Sequence, residues 1–249
     1  MVLQILAALG GGAFALVSLV VGARLLDLAR RTGELPEFAV GLAFLLMGGI
    51  GYPLQAVARG AEAMDILART GLAAVAIACM LVGTVAIGLF NWRVFRPERT
   101  AARRAVLALA GGGIACFLWQ AADPGFLAAA SGRGAGVAGL EALAAVSLAW
   151  AALESTAYLR RLHRREALGL ADPLVVDRVR LWSLSIVAAQ VLNAASIGAR
   201  ACGLDLATWR YGGVVIGPLG LVAAVSMALA FLPPERYRRF VARRAAGRA

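Results

Sequence analysis

Long runs of apolar residues separated by short polar stretches dominate the pattern of this 249-residue chain. Seven runs are long enough to cross the hydrocarbon core of a bilayer, which takes about 20 apolar residues in a helix. The runs cover residues 3–21, 38–57, 72–92, 105–121, 137–158, 181–199 and 213–232. Because the stretches between them are short, the pattern predicts one all-α membrane domain over residues 1–249, a seven-helix bundle without a separate catalytic or output domain.

The composition supports the membrane interpretation and excludes two other classes of protein. Hydrophobic residues make up 61% of the chain and the mean hydropathy is +0.79, whereas a soluble domain is about 45–50% apolar. A disordered chain needs low hydrophobicity, so that class is excluded. The net charge of +11 could attract nucleic acid, but such long apolar runs need a membrane as solvent. We therefore expect no nucleic-acid partner.

The basic residues predict how the helices are oriented in the membrane. All 25 basic residues are arginine, and 20 of them follow the first, third, fifth and seventh runs. The five on the other side are Arg59, Arg69, Arg133, Arg200 and Arg210. Because cytoplasmic loops hold the excess of basic residues, we expect the N-terminus outside and the C-terminus in the cytoplasm, in a bacterial inner membrane. The arginine-rich face should attract anionic lipid head groups.

The C-terminal tail, residues 233–249, combines six arginines with Tyr237, Phe240 and Val241. This is the composition of a basic amphipathic segment, which lies on a membrane surface with its arginines at the lipid head groups. Simple anchoring is the plain interpretation of the tail. Docking of a cytoplasmic protein is the alternative.

Two halves of the chain carry matching markers, which suggests an internal repeat. Pro-Glu-Arg occurs at residues 97–99 and again at 234–236, and Pro36 and Pro173 are also 137 residues apart. The predicted repeat units are residues 1–100 and 137–236, joined by a linker helix at 105–121. Parallel repeats of this kind are found in transporters. The alternative is chance similarity between segments rich in Ala, Leu and Arg.

This 3+1+3 plan with an external N-terminus resembles, at the level of architecture, the group that includes SWEET-type sugar transporters and microbial opsins. A closer resemblance is to uncharacterised seven-helix membrane proteins of bacteria, which implies no activity. The likeness to opsins implies retinal held as a Schiff base on a lysine of the seventh helix. The chain contains no lysine, so covalent retinal binding is excluded and no cofactor is predicted.

Cysteine and histidine usage argues against a metal site or a disulfide framework. The three cysteines, Cys79, Cys116 and Cys202, form no CxxC pair, and His163 is the single histidine. Buried thiols that behave as small apolar residues are the default interpretation. No metal ligands are therefore predicted.

Polar residues inside the predicted spans are the candidate ligand-binding groups, because polar groups in the hydrocarbon region are costly. The sixth run carries a stripe along one helical face. Interrupted helix backbone occurs in the second run beside Pro53, which is 137 residues before Gln190, and in the seventh run. The candidates are Gln190, Asn193, Ser196, Arg200, Tyr52, Pro53, Gln55, Trp150 and Pro218. The alternative interpretation is interhelical hydrogen bonding and ordinary packing.

Glu154 is the strongest candidate for a charge relay or a salt-bridge latch, together with Tyr158 and Arg161. Tyr158 lies four residues further along the same helical face. An isolated carboxylate at this depth must pair with an arginine or be protonated. The plainer alternative is a Glu154 that reaches the interface and pairs with Arg161.

No catalytic motif is present: the chain has no Walker-type loop, no HExxH and no GxSxG sequence. We therefore predict a protein that is not an enzyme. The first hypothesis is a ligand-sensing or signalling component, which would need a cytoplasmic partner or a homo-oligomer. The alternatives are a transporter for a small neutral solute, which uses the two repeats, and an accessory membrane subunit.

Overall fold

A computed structural model describes residues 2–60, 63–122, 125–130, 134–204, 206, 209 and 211–246. Within these residues the chain forms helices and no strand. Seven helices are long and apolar enough to cross a membrane, which makes the chain a multi-pass integral membrane protein. Spans 1 to 7 are Val2–Thr32, Leu35–Gly60, Ile66–Phe95, Thr100–Ala122, Ala135–Ala167, Pro173–Ala201 and Gly212–Phe231.

Most spans are longer than the apolar runs that predict them. Span 5 continues nine residues beyond its apolar run, and span 6 begins eight residues before its own. Hydropathy locates only the part of a helix in hydrocarbon, whereas arginine is a good helix former and lets the helix continue among the head groups. The helix boundaries are set instead by backbone signals. Gly169, at φ +69°, follows the end of span 5, and the Asp172 N-cap with Pro173 begins span 6.

The arginines assigned to loops therefore lie mainly in helix ends. Arg24, Arg30 and Arg31, for example, belong to span 1, whose connection to span 2 has only two residues. The ends of spans 1, 3, 5 and 7, with the starts of spans 2, 4 and 6, form what we call the arginine-rich end; the opposite end is the arginine-poor end. The predictions for Arg133, Arg210 and Arg248 fall outside the described residues.

Span 2 changes its helical type where the sequence contains three glycines and a proline. Residues Phe44–Gly51 form a π-helix between two α-helical parts, and the Tyr52 N–H donates to the Met47 carbonyl. A proline removes one helical hydrogen bond and its ring crowds the preceding turn, and a π-turn widens the backbone just before Pro53. By contrast, the three glycines at residues 111–113 do not interrupt the 23-residue span 4.

The spans pack as a six-helix ring with one helix outside it. Spans 1, 2, 3, 5, 6 and 7 contact one another in that order, and span 7 returns to contact span 1. Span 4 lies outside the ring, packed against spans 3 and 5. The predicted linker helix is therefore peripheral, and each predicted repeat unit supplies three consecutive helices of the ring.

Glycines hold spans 1 and 7 in close contact and so close the ring. A Cβ atom on Gly213 would overlap the Leu3 carbonyl oxygen, one on Gly217 would overlap the Leu6 side chain, and one on Gly220 would crowd the backbone of Gly10. In lipid, such small residues let two helix backbones approach each other and gain packing energy.

Short capping elements complete the two ends of the bundle. At the arginine-poor end, Arg69 Nε donates to the Ala58 carbonyl at 2.7 Å and closes the end of span 2, so this arginine has a structural role. At the arginine-rich end, the terminal helix Glu235–Ala246 packs on span 6. There the Tyr237 hydroxyl donates to Asp177 Oδ2 at 2.7 Å, and Val241 is buried.

Candidate functional site

An ion pair between two ring helices marks the arginine-poor end. Arg200 near the end of span 6 pairs through Nη2 with Glu141 Oε1 of span 5. Their side chains are 29% and 16% exposed, respectively. Because two charges at a helix–helix contact of a membrane protein must compensate each other, this pair fixes spans 5 and 6 relative to one another.

Tyr52 of span 2 belongs to the same region. Its phenol lies within electrostatic range of the Glu141 carboxylate of span 5. Spans 2 and 5 also meet through side chains, because Met47 of span 2 packs with Ala144 and Leu148 of span 5. We call Tyr52, Glu141 and Arg200 the Glu141 cluster.

The backbone of span 2 is closely packed and locally widened beside Tyr52. Just before Tyr52, Gly48 packs on Ser18 of span 1, and Gly51 packs on Met80 of span 3. The π-helix widens the turn at this place, and Tyr52 is the residue that follows it. Tyr52 is 38% exposed.

The other predicted polar residues of span 6 are less closely tied to the cluster. Gln190 is partly buried, and among the described residues its Oε1 atom has no hydrogen-bond donor. Asn193 is also partly buried. The Ser196 hydroxyl donates to the Leu192 carbonyl of its own helix at 3.0 Å. Of the predicted stripe, Arg200 is the residue that the structure joins to the Glu141 cluster.

The remaining ligand candidates lie in different surroundings. Gln55 is buried and donates through Nε2 to the Ala129 carbonyl at 2.9 Å, which ties span 2 to the short helix Phe126–Ala130. Pro53 is partly buried, and Pro218 is exposed inside span 7. The Trp150 indole donates to Glu154 Oε1 at 3.4 Å, so it belongs to the group around Glu154.

Glu154 forms a second interhelical ion pair, at the arginine-rich end. Its partner is Arg96, which directly follows span 3 and donates through Nε to Glu154 Oε1 at 2.7 Å. The pairing with Arg161 considered from the sequence is therefore wrong: Arg161 is exposed. A residue seven positions along the same helix is about two turns, or roughly 10 Å, away, whereas the end of span 3 comes directly alongside span 5.

Aromatic side chains meet across the ring interior at the arginine-rich end. Trp182 of span 6 lies against Phe90 and Phe95 of span 3, with ring centroids 5.0 and 6.4 Å apart, respectively. Phe44 of span 2 meets Phe231 of span 7 at 5.8 Å. These five residues, which we call the aromatic plug, join helices that are not neighbours in the ring and fill its interior at this end.

Tyr158 joins the aromatic plug to the Glu154 ion pair. Its ring lies 6.2 Å from that of Phe95, and Phe95 is next to Arg96 in the chain. The relay or latch function assigned to Glu154, Tyr158 and Arg161 stays a prediction.

Sequence reasoning missed a set of buried polar contacts between spans 3 and 5. Asn91 Nδ2 donates to the Ser147 carbonyl at 3.2 Å, and the Ser147 hydroxyl donates to the Thr84 carbonyl at 3.0 Å. Asn91 and Ser147 are fully buried. An available signal was that Asn91 is the one asparagine in the third apolar run, and a polar side chain in hydrocarbon needs an interhelical partner.

Two cavities lie away from the Glu141 cluster. One of about 270 Å³ is at the connection between spans 1 and 2, and one of about 160 Å³ is between spans 4 and 5, beside Cys116 and Trp119. None of the predicted ligand residues lines either cavity. Within the described parts of the chain, no group of three His, Cys, Asp or Glu side chains is placed to hold a metal ion.

Comparison of the chain with protein-family models, with curated proteins and with solved structures gave no match. The architectural resemblance to SWEET-type transporters and microbial opsins therefore stays a prediction from the sequence.

Proposed function

We propose that the protein is a ligand-sensing membrane component that binds a small polar ligand at the Glu141 cluster and transmits the bound state to the arginine-rich end. In this proposal the arginine-rich end faces the cytoplasm of a bacterial inner membrane, because basic residues are retained on that side. The protein has no catalytic step to perform. Its output passes to a separate cytoplasmic protein or to a second copy of the chain.

The continuity of span 6 is the observation that carries the proposal. Arg200 near one end of this helix belongs to the Glu141 cluster, and Asp177 near the other end holds Tyr237 of the terminal helix. Their separation of 23 positions corresponds to about 35 Å of helix at 1.5 Å per residue. A displacement of span 6 at the cluster would therefore reach the terminal helix directly.

The chemistry of the cluster supports a ligand with a charged or strongly hydrogen-bonding group. Such a ligand competes with one member of the Glu141–Arg200 pair and frees span 6 from span 5. The Tyr52 phenol, near Glu141, supplies a further donor or acceptor. A ligand shifts a conformational equilibrium only by its difference in affinity for the two states, and a broken interhelical ion pair is such a difference.

The test uses the full chain in lipid nanodiscs and a panel of amino acids, carboxylic acids, amines and sugars. We expect a subset to raise the melting temperature of the wild-type protein and to change the rate at which trypsin cleaves the terminal helix. Glu141→Gln and Arg200→Gln should abolish both effects, whereas the matched control Asp27→Asn, in an exposed ion pair, should retain them. A thermal shift that survives in Glu141→Gln would refute the cluster as the site.

A transporter for a small neutral solute is the second candidate, and the ring supports it. If spans 1–3 and 5–7 are equivalent units, a two-fold rotation relates the contact between spans 3 and 5 to the contact between spans 7 and 1, and both contacts are present. The ends of spans 3 and 7 also have similar backbone angles, φ −142° and ψ 45° at Arg96 and φ −128° and ψ 46° at Leu232. Arg96 is followed directly by Pro-Glu-Arg, and Leu232 is followed by Pro233 and then by Pro-Glu-Arg.

In the transporter proposal, the aromatic plug closes the ring interior at the arginine-rich end, and the solute enters from the arginine-poor end. Rocking of one unit against the other would separate the plug. Uptake into reconstituted vesicles tests this, with Gln190→Ala and Asn193→Ala as the variants expected to reduce flux. Absence of flux for every solute that binds would leave the sensor proposal and refute the transporter.

A further inference from the structure

The cavity at the arginine-rich end has two charged side chains of opposite sign on its wall. It has a volume of about 270 Å³ and lies where span 1 turns into span 2; its lining residues are Ala29, Arg30, Gly33, Glu34, Leu35 and Phe38. That volume is close to the lower limit of small-ligand sites, about 300 Å³.

Arg30 and Glu34 are four residues apart. Within the described part of the chain, neither side chain takes part in the ion pairs and side-chain hydrogen bonds at this turn. The preceding pair with the same spacing, Asp27 and Arg31, forms an ion pair at 2.7 Å. The difference lies in the backbone: span 1 ends at Thr32, and Gly33 at φ +73° turns the chain. Glu34 therefore leaves the helical position that would bring it to Arg30.

Apolar side chains continue the cavity toward the membrane. Leu35 and Phe38, in the first turn of span 2, are both exposed, and Ala29 forms a buried floor. A groove with two opposite charges at its polar end and an apolar wall beyond them matches a molecule that has a zwitterionic head and a hydrocarbon chain.

We propose that this cavity binds the head group of a zwitterionic phospholipid, a phosphoethanolamine. The Arg30 guanidinium binds the phosphate, for which its planar donors are suited. The Glu34 carboxylate accepts hydrogen bonds from the primary ammonium group, and an acyl chain lies along Leu35 and Phe38. The carboxylate distinguishes this site from general attraction of anionic lipids to arginines: it repels a head group that has only negative charge.

The site predicts a specific order of lipid preference. A phosphocholine head group keeps the phosphate but has no N–H donor for Glu34. A phosphoglycerol head group keeps the phosphate and lacks the cation altogether. Because the charged side chains are exposed, each contact should change the lipid ratio by only roughly threefold, the effect of an exposed ion pair.

The experiment is native mass spectrometry of the full chain, purified in detergent and incubated with an equimolar mixture of the three lipids with identical acyl chains. We expect phosphatidylethanolamine adducts to exceed both others in the wild-type protein. Glu34→Gln should remove the preference over phosphatidylcholine, and Arg30→Gln should reduce all three adducts. The control Arg31→Gln, next in the chain but paired with Asp27, should behave as the wild type.

Three outcomes would overturn the proposal. Equal loss in Arg31→Gln and Arg30→Gln would mean diffuse attraction to basic charge. Preference for phosphatidylglycerol that is unchanged in Glu34→Gln would mean an anionic-lipid surface. No retained lipid in the wild type, under conditions in which the protein is monodisperse, would mean that the cavity holds no head group.

Discussion

Arg96, the residue that directly follows span 3, donates to Glu154 of span 5 at a distance of 2.7 Å between Nε and Oε1. This contact lies at one of the two places where neighbouring ring helices of the first and second predicted repeat units meet. Glu154 also accepts from the Trp150 indole, and its side chain is only 14% exposed. The carboxylate thus accepts hydrogen bonds from a charged and a neutral donor at the boundary between the two halves of the ring.

We predict that Arg96→Gln lowers the melting temperature of the detergent-solubilised protein by a few degrees, because it leaves a mostly buried carboxylate without its charged partner. Glu154→Gln should cost less, because its amide oxygen still accepts from Arg96 and Trp150. Arg161→Gln is the matched control on the same helix and should have the smallest effect. If Arg161→Gln destabilises the protein as much as Arg96→Gln does, the ion pair is not the one described.

Glu154 also illustrates what a sequence can and cannot predict here. Its depth in the fifth apolar run was sufficient to predict a carboxylate that is either paired with an arginine or protonated, because an isolated charge in hydrocarbon is costly. The choice of Arg96 over Arg161 depends on which helices are neighbours, and one sequence does not contain that information. The same limit applies to Tyr52, because its proximity to Glu141 depends on the arrangement of the helices in the ring.

Helix lengths were predicted less well than helix number. The seven apolar runs correspond one to one to the seven spans, since hydrocarbon requires about 20 apolar residues. The run at residues 137–158 stops short of the true helix, which continues to Ala167, because hydropathy does not distinguish an arginine in a helix from one in a loop. Pro53 was sufficient to predict an irregular span 2. The π-helix that precedes Pro53 became visible only in the structure.

A second prediction concerns the close packing of spans 1 and 7. Gly213→Ala places a methyl group against the Leu3 carbonyl, so the two helices must separate, at a cost of about 1–3 kcal/mol typical of overpacking. Gly12→Ala in span 1 is the control, since nothing lies within 4 Å of its added Cβ, and there alanine should be neutral or stabilising because it is the better helix former. Unfolding in mixed detergent micelles measures both, and equal effects of the two substitutions would contradict the described helix contact.

A third prediction concerns the docking of the terminal helix through Tyr237 and Asp177. Tyr237→Phe removes the hydroxyl that donates to the Asp177 carboxylate. Loss of about 1 kcal/mol for such a hydrogen bond should increase trypsin cleavage of the terminal helix roughly fivefold. Ala242→Ser, at an exposed position of the same helix, is the control and should leave the rate unchanged. An unchanged rate in Tyr237→Phe would exclude this bond as the docking contact.

The same contact gives docking a pH dependence at alkaline pH. Burial raises the pKa of Tyr237, and the hydrogen bond to Asp177 raises that pKa further. Because the pKa is raised in the docked state, the contact contributes fully below the ordinary tyrosine pKa of about 10 and is lost as the pH rises through the raised pKa. Titration followed by tyrosinate absorbance should therefore lose one component that ionises above the ordinary tyrosine pKa in Tyr237→Phe, and the docked helix should be insensitive to pH near neutrality.

The final prediction tests the orientation on which the sensor proposal depends. Cys202 is exposed at the end of span 6, at the arginine-poor end. In a variant with Cys79→Ala and Cys116→Ala, a membrane-impermeant maleimide should label Cys202 in intact spheroplasts, because basic residues keep the opposite end in the cytoplasm. A second variant, which lacks all three native cysteines and carries His163→Cys at the arginine-rich end, should be labelled only after the membrane is permeabilised. The reverse pattern would place the Glu141 cluster on the cytoplasmic side and refute a sensor of external ligands.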